Sequence, residues 1–174
     1  MLFRSGVIAL ADGFAAPEQL QKLDLSYNSI DDDGATVLAR RMLRRCPNIA
    51  ELELHNCGIG ARGTVVLVTE GLHRAPRLRK LRLSDNPVGD EGIAAVARQL
   101  KWWRALEEVN VCGDSVSAGA RECFVRALCD PRIPPGLQLA HLSRLFRGSV
   151  PVASLPRRST RSPFQALLKW LSRI

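Results

Sequence analysis

The chain has 174 residues, of which 46% are hydrophobic and 24% charged, enough for one domain and a tail. No apolar run approaches the ~18 residues that a membrane-spanning helix needs. The net charge of +8 is unevenly placed: residues 1–130 carry 17 basic and 17 acidic side chains, and no acidic residue follows Asp130. This asymmetry predicts a neutral folded domain over 1–146 and a separate basic module over 147–174.

The first residues combine a charge and an apolar run, the outline of a weak secretory leader. However, Gly6-Val7-Ile8-Ala9-Leu10 aligns with Gly92-Ile93-Ala94-Ala95-Val96. The segment is therefore expected to be a repeat helix lacking its strand. Such a start has no N-terminal cap, as expected where upstream repeats are missing.

From Leu20 a pattern recurs. Leu20, Leu23, Leu25 and Asn28 are followed by Ile49, Leu52, Leu54 and Cys57, then Leu78, Leu81, Leu83 and Asn86, then Leu106, Val109, Val111 and Asp114. The first residues of these copies lie 29, 29 and 28 positions apart. A fixed period of this length is the mark of a stacked-repeat protein. Alternation along a strand puts Leu23 with Leu25, Leu52 with Leu54, and Leu81 with Leu83 on one buried side. An Asn where the strand bends away can bond the backbone of the neighbouring unit.

Each strand leads into a glycine and an apolar helical pattern. Gly6, Gly34, Gly63, Gly92 and Gly119 are spaced by 28, 29, 29 and 27 residues. Leu38 and Met42 share a helix face, as do Ile93, Val96, Ala97 and Leu100. The pattern predicts helices of about ten residues in each unit. Gly34, Gly58, Gly60 and Gly63 are expected in turns with unusual backbone angles. Asp31 to Asp33 and Asp90-Glu91 fall at helix starts, where the helix dipole favours negative charge.

The 28–29-residue period with its Leu-x-x-Leu-x-Leu-x-x-Asn/Cys core resembles the ribonuclease-inhibitor type of leucine-rich repeat, over roughly residues 6–140. This class also occurs in NOD-like receptors and Ran GTPase-activating proteins. The resemblance implies an α/β solenoid, a curved horseshoe segment with parallel strands on the concave face and helices on the convex face. It also implies a non-catalytic module that binds a protein partner of unknown identity. A small GTPase is the alternative partner, although no loop residues here match those of the Ran regulators one by one.

On such a face the outward strand positions are Lys22, Asp24 and Ser26; Glu51, Glu53 and His55; Lys80, Arg82 and Ser84; and Glu108, Asn110 and Cys112. One column reads Lys22, Glu51, Lys80, Glu108, and the next Asp24, Glu53, Arg82, Asn110. At ~4.8 Å between strands, neighbours in a column can pair. The columns are either a self-neutralising ladder or a mixed-charge docking surface. The partner-binding candidates are Lys22, Asp24, Glu51, Glu53, His55, Lys80, Arg82, Glu108 and Asn110.

Catalysis is not expected. Glu51 and Glu53 lie on an open strand with no pocket to desolvate them, and Ser84 or Cys112 would sit a strand or more from His55. Five cysteines at irregular spacing make no disulfide framework and suit reduced thiols in a cytoplasmic, or alternatively nuclear, setting. A metal site from Cys112, Cys123, Cys129 and His141 lacks the spacing of a zinc motif, so no cofactor is expected. Trp103 replaces small residues of the other units and is expected to pack against the next helix. Trp102 replaces an arginine and is either an exposed ring, a candidate interface anchor, or a ring covered by the tail.

After Asp130, Leu137 and Leu139 fall in register as a degenerate last strand, and Leu142, Leu145 and Phe146 suit a closing helix. Residues 147–163, rich in Pro, Ser and Arg, read as a linker. Phe164, Leu167, Leu168, Leu171 and Ile174 form one face of a helix that includes Trp170. This tail can meet an acidic membrane surface. It can alternatively meet nucleic acid, or serve as a nuclear address, through Arg157, Arg158 and Arg161. A third reading folds its apolar face back onto the solenoid end.

Overall fold

A computed structural model describes residues 4–73, 75–111, 116–128, 130, 132, 133 and 137. Helix α1 (Arg4–Gly13) precedes four strand–helix units. These are β1 (Lys22–Asp24) with α2 (Asp31–Val37), β2 (Glu51–Glu53) with α3 (Ala61–Val66), β3 (Lys80–Arg82) with α4 (Gly89–Gln99), and β4 (Glu108–Asn110) with α5 (Ala118–Leu128). The strands form one parallel sheet in the order β1-β2-β3-β4. The chain is thus an α/β solenoid segment.

The register follows the repeat. Lys22 faces Glu51, Glu51 faces Lys80, and Lys80 faces Glu108. Leu23, Leu52, Leu81 and Val109 form the parallel inward column, and with Leu25, Leu54, Leu83 and Val111 all are buried. Fully burying one such side chain contributes about 1.5–3 kcal/mol. No single unit encloses its own leucines, so the stack is the stable entity. Val7 and Ala11 of α1 are buried in the same core, as a repeat helix requires.

The helices depart from the simple expectation. Beyond α2 the chain continues as a π-helical stretch, Leu38–Met42, and a 3₁₀ turn, Leu43–Arg45. Beyond α3 a second π-helical stretch covers Leu67–Gly71. Leu38, Met42, Leu67 and Gly71 are buried, so the wider turn keeps these residues on the core side.

Gly58 has the left-handed backbone of a turn glycine, with φ of 71°, but Gly34 and Gly63 are not turn glycines. They lie inside α2 and α3, away from the left-handed region. A Cβ on Gly63 would lie 2.6 Å from Asp32 Oδ1 and 2.9 Å from Asp32 Cα. One on Gly92 would lie 2.6 Å from Val88 and 3.2 Å from Thr64 of the unit before. At Gly34, Gly63 and Gly92 the glycine period therefore records close contact around the helix starts.

Two bonding devices stitch the units. Asn86, buried, donates through Nδ2 to the carbonyl of Leu54 at 2.6 Å, while its Oδ1 accepts the backbone N–H of Cys57 and Ile59 at 2.9 and 3.0 Å. At the same repeat position, Cys57 donates through Sγ to the carbonyl of Leu25 at 3.2 Å. Burial pushes this thiol's pKa up. The second device is Asp32, whose Oδ1 accepts the N–H of Gly60 and Gly63 at 2.7 and 2.9 Å. No capping side chain of its own serves α3; the carboxylate of the preceding unit does. Asp90 likewise accepts the N–H of Ser117, just before α5, at 2.7 Å.

Trp103 is buried, but its indole N–H donates to the carbonyl of Leu72 in the preceding unit, at 2.9 Å. This bond runs to the preceding unit, opposite in direction to the packing expected from the sequence. Cys46 and Cys57 are buried free thiols and Cys123 an exposed one. No metal-binding cluster occurs among the described residues, and Cys112, Cys129 and His141 lie outside them. No helix among them is long and apolar enough to cross a membrane. Leu137 is half-buried against the core. Leu139, Leu142, Leu145, Phe146 and the tail with Arg157, Arg158, Arg161 and Trp170 lie outside the described residues.

Candidate functional site: the concave strand face

Three-residue strands leave the outward side chains of β1 to β4 in rows about 4.8 Å apart. The structure joins six of the expected residues of this face, Lys22, Glu51, Glu53, Lys80, Arg82 and Glu108, in a connected ion-pair lattice. Lys22 Nζ lies 3.2 Å from Glu51 and 3.3 Å from Glu53. Lys80 Nζ is 3.1 Å from Glu51. Arg82 bridges Glu53 at 3.1 Å and Glu108 at 2.9 Å. The links are partly diagonal: Lys22 reaches into the neighbouring column to Glu53, and Arg82 reaches back to Glu108.

Shared cations act on the carboxylates. Hydrogen bonds from Lys80 and then Lys22 hold Glu51 below the usual carboxylate range. Bonding to Glu51 and Glu53 raises Lys22, and bonding to Glu108 raises Arg82. The Ser26 backbone N–H, 3.0 Å from Asp24 Oδ1, does most to hold Asp24 low. Glu51, Asp24, Lys22 and Arg82 thus stay charged near neutral pH.

Beyond the strand ends the face has a recess of about 610 Å³, lined by Asp24, Ser26, Tyr27, Glu53, His55, Arg82, Ser84 and Asn110. His55 is part of this lining. The His55 backbone N–H donates to Ser26 Oγ at 3.2 Å, and His55 Nδ1 lies 2.7 Å from Ser84 Oγ. His55 Nε2 lies 3.3 Å from Asp85 Oδ2. Ser84 sits one strand from His55, as expected, and is still within bonding reach of it, because the parallel register sets the two side by side just past β2 and β3.

This chain of Ser84, His55 and Asp85 differs from a hydrolytic triad. Ser84 is only 4% exposed, whereas a nucleophile must meet substrate. Asp85 has 57% of its side chain exposed, whereas an orienting carboxylate works from a buried position.

Asn110 also departs from expectation. It is buried, at 5% exposure. Its carbonyl accepts the N–H of Leu83, so it lines the recess without forming part of the open surface.

Sequence reasoning missed Tyr27. Its backbone, like that of Asn56 and Asp85, is left-handed, with φ of 60°, 50° and 57°. These residues share one repeat position, where the chain leaves the strand. The conformation turns the Tyr27 ring onto His55, edge to face at 4.8 Å between centroids, with 65% of the residue exposed. Placement at a 29-residue spacing was the available signal.

Trp102 lies elsewhere, in a 3₁₀ turn (Leu100–Trp102) after α4. It is 54% exposed, with Lys101 Nζ 5.3 Å from its ring and His73 6.4 Å away.

A family model described as Leucine Rich repeat matches residues 19–39 and 76–97. Each match runs from a strand of this face, β1 or β3, into the helix behind it. No curated protein matches the chain. Leucine-rich-repeat domains are in general protein-interaction modules and usually non-catalytic. The chain therefore carries leucine-rich repeats at these two places, within a solenoid segment of four parallel strands.

Proposed function

We propose that this is a non-catalytic, cytoplasmic interaction module of the ribonuclease-inhibitor type, which binds a protein partner on its concave face. The domain reading remains 1–146 for the repeats and 147–174 for the tail. The observation that carries the proposal is the joined ion lattice and recess of that face. Lys22, Asp24, Glu51, Glu53, His55, Lys80, Arg82 and Glu108, now with Tyr27, offer charges of both signs in fixed positions. Buried neighbours and shared ion pairs hold these side chains before a partner arrives, which lowers the ordering cost of binding. Fixed mixed charge also orients a partner and rejects wrong ones.

The test compares the partners that wild type and two variants retain. Asp24→Arg with Tyr27→Ala alters the recess rim, and Arg40→Glu with Arg44→Glu alters exposed helix residues. Circular dichroism checks the fold of each. The proposal expects loss of a specific protein with the first variant only. Loss with the helix variant alone would sink it.

A further inference from the structure

All eight excess positive charges of the chain follow Asp130, and no carboxylate side chain accompanies them. The concave face has the opposite imbalance. Its cations Lys22, Lys80 and Arg82 are each engaged by a glutamate. Asp24, Glu51, Glu53, Asp85 and Glu108 outnumber them. Among the described residues, Asp24 pairs with no basic side chain, its bond being to a backbone N–H, and Asp85 meets only His55. The face thus has no unengaged cation for an anionic partner and surplus carboxylate for a basic one.

The place for a basic side chain is also defined. Asp24 and the largely exposed Tyr27 both line the recess. A carboxylate and an open aromatic ring lining one recess suit a guanidinium. The carboxylate takes charge-assisted hydrogen bonds, and the ring face attracts a planar cation.

We propose that the Arg157–Arg161 segment of this same chain docks in the recess, one arginine lying between Asp24 and Tyr27, so that the tail covers the face until a partner displaces it. This rests on the concave-face reading above and adds its regulation. Reach is ample. Arg157 lies 20 positions after Leu137, an extended span of up to ~65 Å, and four strands at ~4.8 Å cover only ~15 Å. Tethering also raises the effective concentration of the segment to about millimolar, which populates even a weak contact.

Tyr27 is the only tyrosine of the chain, so a ring-labelled tyrosine gives one NMR reporter in the full protein. The proposal expects its signal to move between wild type and the Arg157→Glu/Arg158→Glu/Arg161→Glu variant. That difference should vanish in the Asp24→Asn background and at ~0.5 M salt, where exposed charges are screened, and should persist on dilution. An unchanged Tyr27 signal in the triple variant would overturn the proposal. A difference lost on dilution would also overturn it, by assigning the occupant to a second copy. Partner capture separates the two readings. If the triple variant retains several-fold more partner, docking is supported. If Tyr27 is unaffected while recess substitutions still abolish capture, docking fails alone. If Tyr27 responds but capture ignores the recess, the concave-face reading fails instead.

Discussion

Substituting Asn86 by alanine tests the stacking account most sharply on the stability side. The Asn86 amide satisfies the Leu54 carbonyl and the Cys57 and Ile59 N–H groups across the unit boundary, and Asn86 itself is 2% exposed. Alanine leaves two buried backbone donors without that acceptor. Each costs about 1–3 kcal/mol, giving a loss of about 3–5 kcal/mol with partial relaxation, a large share of the ~5–15 kcal/mol of an ordinary domain. Asn28→Ala in the first unit is the comparison. Asn28 donates to the carbonyls of Leu25 and Ser26 within its own turn and is only half-buried, so a cost near ~1 kcal/mol is expected. Urea unfolding followed by circular dichroism and by fluorescence of the buried Trp103 measures both. A cost for Asn86→Ala no larger than for Asn28→Ala would refute the claim that this amide bolts adjacent units together.

Three further outcomes are expected. Asp32→Ala removes the acceptor for Gly60 and Gly63 and should cost about 0.5–2 kcal/mol, as loss of a helix cap does, read from the urea midpoint. Gly63→Ala, whose Cβ would meet Asp32 at 2.6 Å, should destabilise by about 1–3 kcal/mol; Gly119→Ala, with nothing nearer than Ser117 Oγ at 3.9 Å, should be neutral or stabilise by up to ~1 kcal/mol. Acid should weaken the fold. Glu51 and Asp24 are held low in the folded state and Asp130 is lowered to about 2. Their contribution is therefore present above the ordinary carboxylate pKa of about 4 and is lost as pH falls through the folded values. Urea midpoints between pH 7 and pH 3 should fall, and Glu51→Gln should flatten that fall.

The strands and their register were legible because Leu23, Leu52 and Leu81 recur at one spacing and a parallel stack converts spacing directly into alignment. The same arithmetic placed Lys22, Glu51, Lys80 and Glu108 in one row. What escaped notice depends on contacts between units. Asp32 and Asp90 stand two periods apart, yet their local context suggested ordinary helix-start acids, and their bonds reach into the following unit. Gly63 and Gly92 were legible as a period but not as close contacts, because the neighbour they admit is distant in sequence. Tyr27 gave no apolar or charge pattern; only the left-handed turn swings its ring onto His55. Asn110 fitted the outward alternation, but burial at the last strand depends on the packing around it.

Hydroxyl-radical footprinting of the full chain, free and with a captured partner, tests the central claim most directly. Tyr27 and Trp102 are the two large exposed hydrophobic side chains of the described residues, and they mark different surfaces. The account predicts that partner binding protects Tyr27, together with His55, and leaves Trp102 as reactive as before. Protection of Trp102 with Tyr27 unchanged would contradict it and move the interaction away from the concave face.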